Sequence, residues 1–294
     1  APLDDATKTH TETEELRLAG GGTRARWLIG GFYSKNLRDY GQNLLVSGFE
    51  AASGIPTRGL RAPTDVLFYS DLAYDLKQAA VFGEATVSLT DQLDLTGGLR
   101  YFHFSEDRQQ IFDGIFANDS TGKSLVSTPG TTSASGAAPR VIASFKASNN
   151  LTFNAQASKG FRLGGINDPL NVPLCTQQDL ATFSGRDSWK NETAWNYEVG
   201  GKSQFMGGRA SLNASVFYMD IRDLQLIVTA GSCSSRLVFN TPKAVSQGVE
   251  LEFSAVPNRF IDFSVSGTYN DSKLKSTLTS TAANGQVRVV SGIE

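Results

Sequence analysis

Long apolar runs are missing from this chain of 294 residues. With no stretch of about 18 apolar residues, a transmembrane helix is excluded. A membrane-spanning strand is not, because it needs only about 9–11 residues and escapes an averaged hydropathy profile. The two cysteines, Cys175 and Cys233, are too few for a disulfide scaffold. The two histidines, His10 and His103, lie far apart without neighbouring ligand types, which argues against a metal site. Charge is nearly balanced at a net −2 with no basic block, so nothing points to nucleic acid. H-E-x-x-H, G-x-S-x-G and C-x-x-C motifs are all absent, and with them the usual signs of an enzyme or a resident cofactor. The start, "APLDDATKTHTETEEL", has neither a basic region nor an apolar core of a signal peptide. The chain is therefore expected to be either cytoplasmic or a piece of a longer precursor.

What is present is alternation. In "NLTFNAQASKGFRLGGI" (150–166), Leu151, Phe153, Ala155 and Ala157 alternate with Thr152, Asn154, Gln156 and Ser158. The same period of two runs through 78–90, 209–218 and 259–270, and helical spacing is sustained nowhere. An all-β chain follows, with about eleven strands over 11–19, 24–35, 78–90, 93–112, 138–148, 150–162, 192–205, 209–229, 236–256, 259–271 and 286–293. Tight links at 20–23, 90–92, 148–150, 206–208 and 257–258 alternate with long ones at 36–77, 113–136, 163–191, 230–235 and 272–285. Sorting of loop lengths by end is the habit of an up-and-down outer-membrane barrel rather than of a soluble sandwich. Glu84, Arg100, Lys159, Glu198, Lys202, Glu250 and Glu252 are assigned to the polar faces of their strands. Tyr101, Trp195, Tyr197, Tyr218 and Tyr269 fall on the apolar parity, where interfacial girdles want them.

Two patterns that hint at catalysis have plainer readings. Glu250 and Glu252 are spaced like paired carboxylates, but nothing marks a cleft around them, and lumen charges explain them better. "SKGFRLGG" (158–165) is glycine-rich without phosphate-loop spacing, and reads as a strand end entering a surface loop.

A series of stretches resembles the β-barrel domain of TonB-dependent outer-membrane receptors of the iron-complex type. They are "TEELRLA" (13–19), "ARWLIGGFYSK" (25–35), "AAVFGEATVSLTDQLDLTGGLRYF" (79–102), "ASKGFRLGGIN" (157–167), "NYEVGGKSQF" (196–205), "VFYMDIRDLQL" (216–226) and "GVELEFSAVPN" (248–258). The resemblance covers nearly all of residues 1–294 and implies a multi-pass barrel in the outer membrane of a Gram-negative bacterium. It implies active import of a scarce substrate, above all a ferric siderophore or similar iron complex, energised by the TonB–ExbB–ExbD complex. The family barrel has 22 strands around an N-terminal plug. Residues 1–294 are expected to hold neither the plug nor the closing strands and to form an unclosed segment of a larger barrel. A passive porin-type channel and a secreted soluble β-sheet binding protein are the alternatives.

Ligand contacts are expected from the long loops and upper lumen, with Tyr69, Phe112, Phe116, Arg162, Arg186 and Trp189 as candidates, since aromatic and arginine side chains recur at binding surfaces. Cys175 and Cys233 fall in links at the same end of the sheet, where a disulfide would tie down a loop in an oxidising compartment.

Overall fold

The computed structural model describes residues 3–116, 126–127, 130–170, 172–233, 235–281 and 287–291. Ten long strands follow each other as antiparallel neighbours in strict chain order. They are β1 (Leu3–Gly21), β2 (Ala25–Leu45), β3 (Val66–Ser88), β4 (Leu93–Asp113), β5 (Gly130–Ser148), β6 (Leu151–Arg162), β7 (Glu192–Phe205), β8 (Ala210–Thr229), β9 (Arg236–Asn258) and β10 (Ile261–Leu274). A short segment, Val126–Ser127, pairs with the end of β4. The sheet does not close: β1 and β10 are its two edges.

The expected eleventh strand is not part of this wall. Val287–Ser291 pairs instead with Leu278–Thr281 as a separate two-stranded ribbon. Pairing across so short a loop closes locally at lower entropic cost than returning along β10. Residues 286, 292 and 293 of that expectation lie outside the described residues.

Cross-strand pairing fixes which residues share a face. Leu18, Ile29, Gly83, Leu99 and Pro139 form one continuous row. Val141, Ala157, Tyr197 and Tyr218 form another. Among the described residues nothing forms a second layer over these apolar rows: Leu99 is 55 %, Val199 56 %, Phe263 50 % and Val265 55 % exposed. Tyr33, Tyr101, Tyr197, Tyr218 and Tyr269 lie on this face towards the long-loop end, and each is more than two-fifths exposed. On β4 the band from Leu93 to Tyr101 is nine residues, matching the length a tilted membrane strand needs.

The opposite face is polar and knits to itself. Thr86 and Thr96 hydroxyls are 2.8 Å apart, Ser144 donates to Asn154 at 2.7 Å, and Gln156 donates to Glu198 at 2.9 Å. Arg140 reaches Glu84 across Gly98. Glycine lets rings lie flat here: a Cβ on Gly30 would sit 2.5 Å from the Phe82 ring, and one on Gly136 2.6 Å from Phe102. Glu250 and Glu252 share this face, Glu252 accepting from Asn213. Lys159, assigned to the polar side, instead has the register of Trp195 on the other parity. It stands near the upper end of β6, beyond its last pair with β5, and borders a pocket with Arg17 and Arg100.

Several strands run further than expected towards the long-loop end. The link at 36–77 shrinks to 46–65 and that at 113–136 to 114–129, while β1 starts at Leu3 rather than residue 11. In the upper parts of β3 and β4 the pattern inverts. Above Tyr101, β4 carries Phe102, Phe104 and Phe112 on the parity that is polar below, all three buried, with Ile111 alone of its apolar residues on the other side. β3 does the same with Leu76, Tyr74, Leu72 and Phe68 against Asp75, Ala73, Asp71 and Tyr69. Once the outer side leaves hydrocarbon for water, burial favours the inner side instead. Links between strands remain short at one end (22–24, 89–92, 149–150, 206–209 and 259–260) and longer at the other. Met206, Gly207 and Gly208 adopt positive φ of 56°, 67° and 84° to make one of the tight turns.

The outward apolar face predicts an asymmetric mutational response. Val216→Arg in the full-length protein should cost about 2–4 kcal/mol near the bilayer midplane. Ser215→Arg, on the other face, should fall within about 0.5 kcal/mol of the wild type. Urea unfolding in liposomes measures both.

Candidate functional site

The long link 163–191 does not stand away from the wall. Its segment Ile166–Asp168 is fastened to β4, where Arg108 donates to the carbonyls of Ile166 and Asn167, the latter at 2.8 Å, and Gln110 donates to Asp168. It is also fastened to the free edge of β9, where Asn167 receives the Val238 N–H at 2.7 Å and returns a bond to the Val238 carbonyl at 2.9 Å. One residue thus touches strands five positions apart, which a flat sheet would separate by about 24 Å. The wall must curl, with the polar parity inside, and Ile166–Asp168 is a strap across its concave mouth.

The strap has its own support. The structure joins Cys175 to Cys233 by a disulfide with Cα atoms 4.2 Å apart, inside the 7 Å beyond which no bridge forms. Phe183, Ala230, Leu237 and Phe239 bury around it, so this loop carries a small core. Helix α1 (Gln177–Phe183) starts with the Thr176 side chain accepting from the Asp179 N–H. The Asp179 carboxylate in turn accepts from the Ser232 N–H and hydroxyl at 2.9 and 2.7 Å. A Cβ on Gly231 would lie 2.6 Å from that carboxylate, and its φ is +52°, so no larger residue fits this turn.

Between the strap and the raised ends of β1–β4 is a cavity of about 850 Å³. Leu44, Phe68, Leu72 and Phe112 supply its apolar wall, with Phe68 and Phe112 rings 6.0 Å apart. Phe116, Pro169 and Leu174 come from the loops, and Asp5, Tyr40, Gln42, Asp168 and Arg236 bring polarity. Asp5 accepts from Gln42 at 2.9 Å. Burial, then the Asp5 charge, hold the Tyr40 hydroxyl above its ordinary phenol value. Burial lowers the Arg108 pKa against the opposing pull of Asp168, and burial raises Glu106 two residues away. Arg108 is only 5 % exposed, so the strap is held by a cation that has given up its water.

Of the six candidate ligand residues, Phe112 and Phe116 line this cavity. Tyr69 pairs with Asp113 and Asn43 on the outward parity. Arg162 binds Glu192 and the Gln225 carbonyl, and Arg186 lies 4.9 Å over the Phe239 ring. Trp189 pairs with Gly165 in a two-stranded ribbon, its ring over the glycine. Tyr40, Phe68, Leu72, Arg108, Gln110 and Asn167 were not singled out from the sequence. The signal for Phe68 and Leu72 was there: alternation continues through 66–77, but with the apolar parity reversed.

A one-layer antiparallel wall with apolar side chains outward, tyrosines at its rim and a polar concave face defines a transmembrane outer-membrane β-barrel wall. The family model described as "TonB dependent receptor-like, beta-barrel" matches residues 4–289, and the chain belongs to that family. It is thus a multi-pass β-strand protein of the Gram-negative outer membrane, from a family of transport receptors rather than enzymes. The chain is 23 % identical over 243 residues to a pesticin receptor of Yersinia enterocolitica, covering 82 % of this chain and 31 % of that protein. It superposes on the ferric yersiniabactin uptake receptor FyuA of Yersinia pestis with a TM-score of 0.70 at 18 % identity, over 93 % of this chain and 37 % of that one. The siderophore receptor PiuA of Acinetobacter baumannii gives 0.65 at 15 % identity, over 97 % and 41 %. The chain therefore spans about a third of the length of the curated relatives it matches.

Two loop predictions follow from this geometry. Arg108→Met in the full-length protein leaves buried carbonyls unpaired, at about 1–3 kcal/mol each. Protease cleavage within 163–191 should then rise by at least tenfold while the strands stay intact, read by peptide mapping. The second concerns the link 46–65, where N–H groups of Glu50 and Gly48 hold the Asp65 carboxylate below its ordinary value. A depressed folded-state pKa stabilises the loop above the ordinary aspartate pKa of about 3.9 and loses that contribution as pH falls through the folded value. Hydrogen exchange at Gly48 and Glu50 should accelerate only in that acid window, and Asp65→Asn should remove the transition.

Proposed function

We propose that this chain is part of an active import receptor that carries a ferric siderophore, or a similar iron complex, across the outer membrane with energy from the TonB–ExbB–ExbD complex. The single observation that carries the reading is the cavity of about 850 Å³ beneath the strap, on the concave side of a wall belonging to this family. Its size lies within the usual range for small-molecule pockets, about 300–1,000 Å³. Its apolar and aromatic lining, with a few polar groups, suits an organic chelate better than a hydrated ion. The ferric yersiniabactin uptake receptor and the siderophore receptor described above support iron-complex cargo by likeness.

The wall is proposed to be one portion of a closed barrel, with further strands meeting β1 and β10 and a plug filling the lumen. Unpaired edge groups in hydrocarbon cost several kcal/mol each, which favours closure. A strap across the mouth also suits a gated receptor better than a diffusion pore.

Uptake of radiolabelled iron complexes by cells that make the full receptor as their sole iron-complex importer tests this reading. Uptake of at least one ferric siderophore should stop when TonB function is lost. Phe112→Ala should weaken its binding by about tenfold, as for a buried aromatic anchor. Uptake that persists unchanged without TonB would favour a passive channel.

A further inference from the structure

Two arginines on the concave face are built alike, and both lack an acidic partner. Arg38 on β2 stands one inward position below Tyr40, which lines the cavity under the strap. Its guanidinium lies over the Tyr40 ring at 5.0 Å and the Tyr74 ring at 5.5 Å. Arg100 on β4 lies over the Phe32 ring at 4.8 Å and the Phe82 ring at 5.7 Å. A ring face attracts a cation within about 6 Å but accepts no conventional hydrogen bond from it. Among the described residues neither guanidinium makes an ion pair or a hydrogen bond.

The acids around them are already committed. Arg100 opens on a hollow of about 440 Å³ that Glu15, Arg17, Phe82, Glu84 and Arg140 also line. There Arg17 takes Glu15 and Arg140 takes Glu84, which leaves three guanidinium groups against two carboxylates. Arg38 and Tyr74 share the row of Arg108, eight residues of β4 above Arg100, or about 26 Å. Between those levels the inward acids of β1–β5 are Glu15 and Glu106. Glu15 is taken, and burial raises the Glu106 pKa, so Glu106 competes weakly for either cation. The rest of that stretch is neutral, with Phe32, Leu76, Phe102 and Phe104 packed together.

An arginine whose faces are covered by rings presents its edge, a flat pair of N–H donors that fits a carboxylate with two parallel bonds. We propose that Arg38 and Arg100 are successive docking points for a carboxylate carried by the imported complex, the first just below the cavity and the second deeper on the wall. The inference rests on the reading of the chain as an importer, and it names the cargo class: a chelate with a free anionic group. The two points are too far apart for one molecule filling the cavity to reach both. The carboxylate must leave Arg38 before it meets Arg100.

The test uses the full-length receptor and a panel of ferric chelates, each prepared with a pendant carboxylate and as its uncharged methyl ester. Quenching of tryptophan fluorescence in the purified receptor reads affinity, and radiolabelled iron reads uptake by cells. A bound acid should exceed its ester in affinity by about tenfold, the worth of one charge-assisted pair. Arg38→Met should erase that ratio. Arg100→Met should leave affinity within about twofold and lower the maximal uptake rate by about tenfold, a split that a damaged fold does not give. Arg26 already leans on Asp94 at 3.9 Å, so Arg26→Met serves as control and should change neither. Heat-modifiable migration shows whether each variant is folded, and the comparison of acid with ester on the wild type needs no variant. Equal binding of acid and ester overturns the inference and leaves the importer standing. So does unchanged affinity and uptake in the folded double variant of Arg38→Met and Arg100→Met. Failure of the whole panel to bind, or uptake indifferent to TonB, overturns the importer reading itself.

Discussion

A peptide group inside hydrocarbon has no water to turn to, so its N–H and carbonyl must be paired by the protein itself. That demand selects long antiparallel neighbours, and the other features follow from it. Strands that satisfy each other in chain order leave side chains to be sorted only by face. One face meets lipid and takes valine, leucine and alanine, while the other meets the lumen and takes threonine, serine, asparagine and charge. The same pairing explains why the loops divide by length. Turns between neighbours need only reverse the chain, as Met206–Gly208 does, whereas the other end is free to extend. Into that freedom the protein places the strap, the disulfide and the cavity.

Much of this was legible in the amino-acid sequence because period-two alternation is a direct consequence of the pleat. The rows through Leu151, Val87, Leu212 and Phe263 were readable, as were the tight turns and the grouping of long links at one end. Legibility failed where the environment changes along a single strand. The apolar parity switches between Tyr101 and Phe102 on β4 and near Lys77 on β3, and on β3 a pattern tuned to lipid on the outside reads the remainder as loop. The strand end at Leu45, the start at Val66 and the cavity residues Phe68 and Leu72 were hidden for that reason. A reader allowing one change of phase per strand would have found them.

The contacts of the strap were beyond any local pattern. Asn167 meets Arg108 and Val238 through a chain path of more than fifty residues on either side, and neither spacing nor composition encodes that meeting. Phe112 and Phe116 were reachable as aromatics near the mouth. Arg162, Arg186 and Trp189 belong to the same composition class but are committed elsewhere, to Glu192, Phe239 and Gly165. Residue type alone does not separate an aromatic that lines a cavity from one that holds a loop in shape.

Strict neighbour pairing has a kinetic side. Each hairpin of the wall can form from residues close in the chain, a low-contact-order route that needs no distant partner. The strap is the exception, since its anchors on β4 and β9 are brought together only when the intervening five strand spacings have curled. During biogenesis the vestibule must therefore stay open until the arc is nearly complete, and the last bonds made are those that shut it.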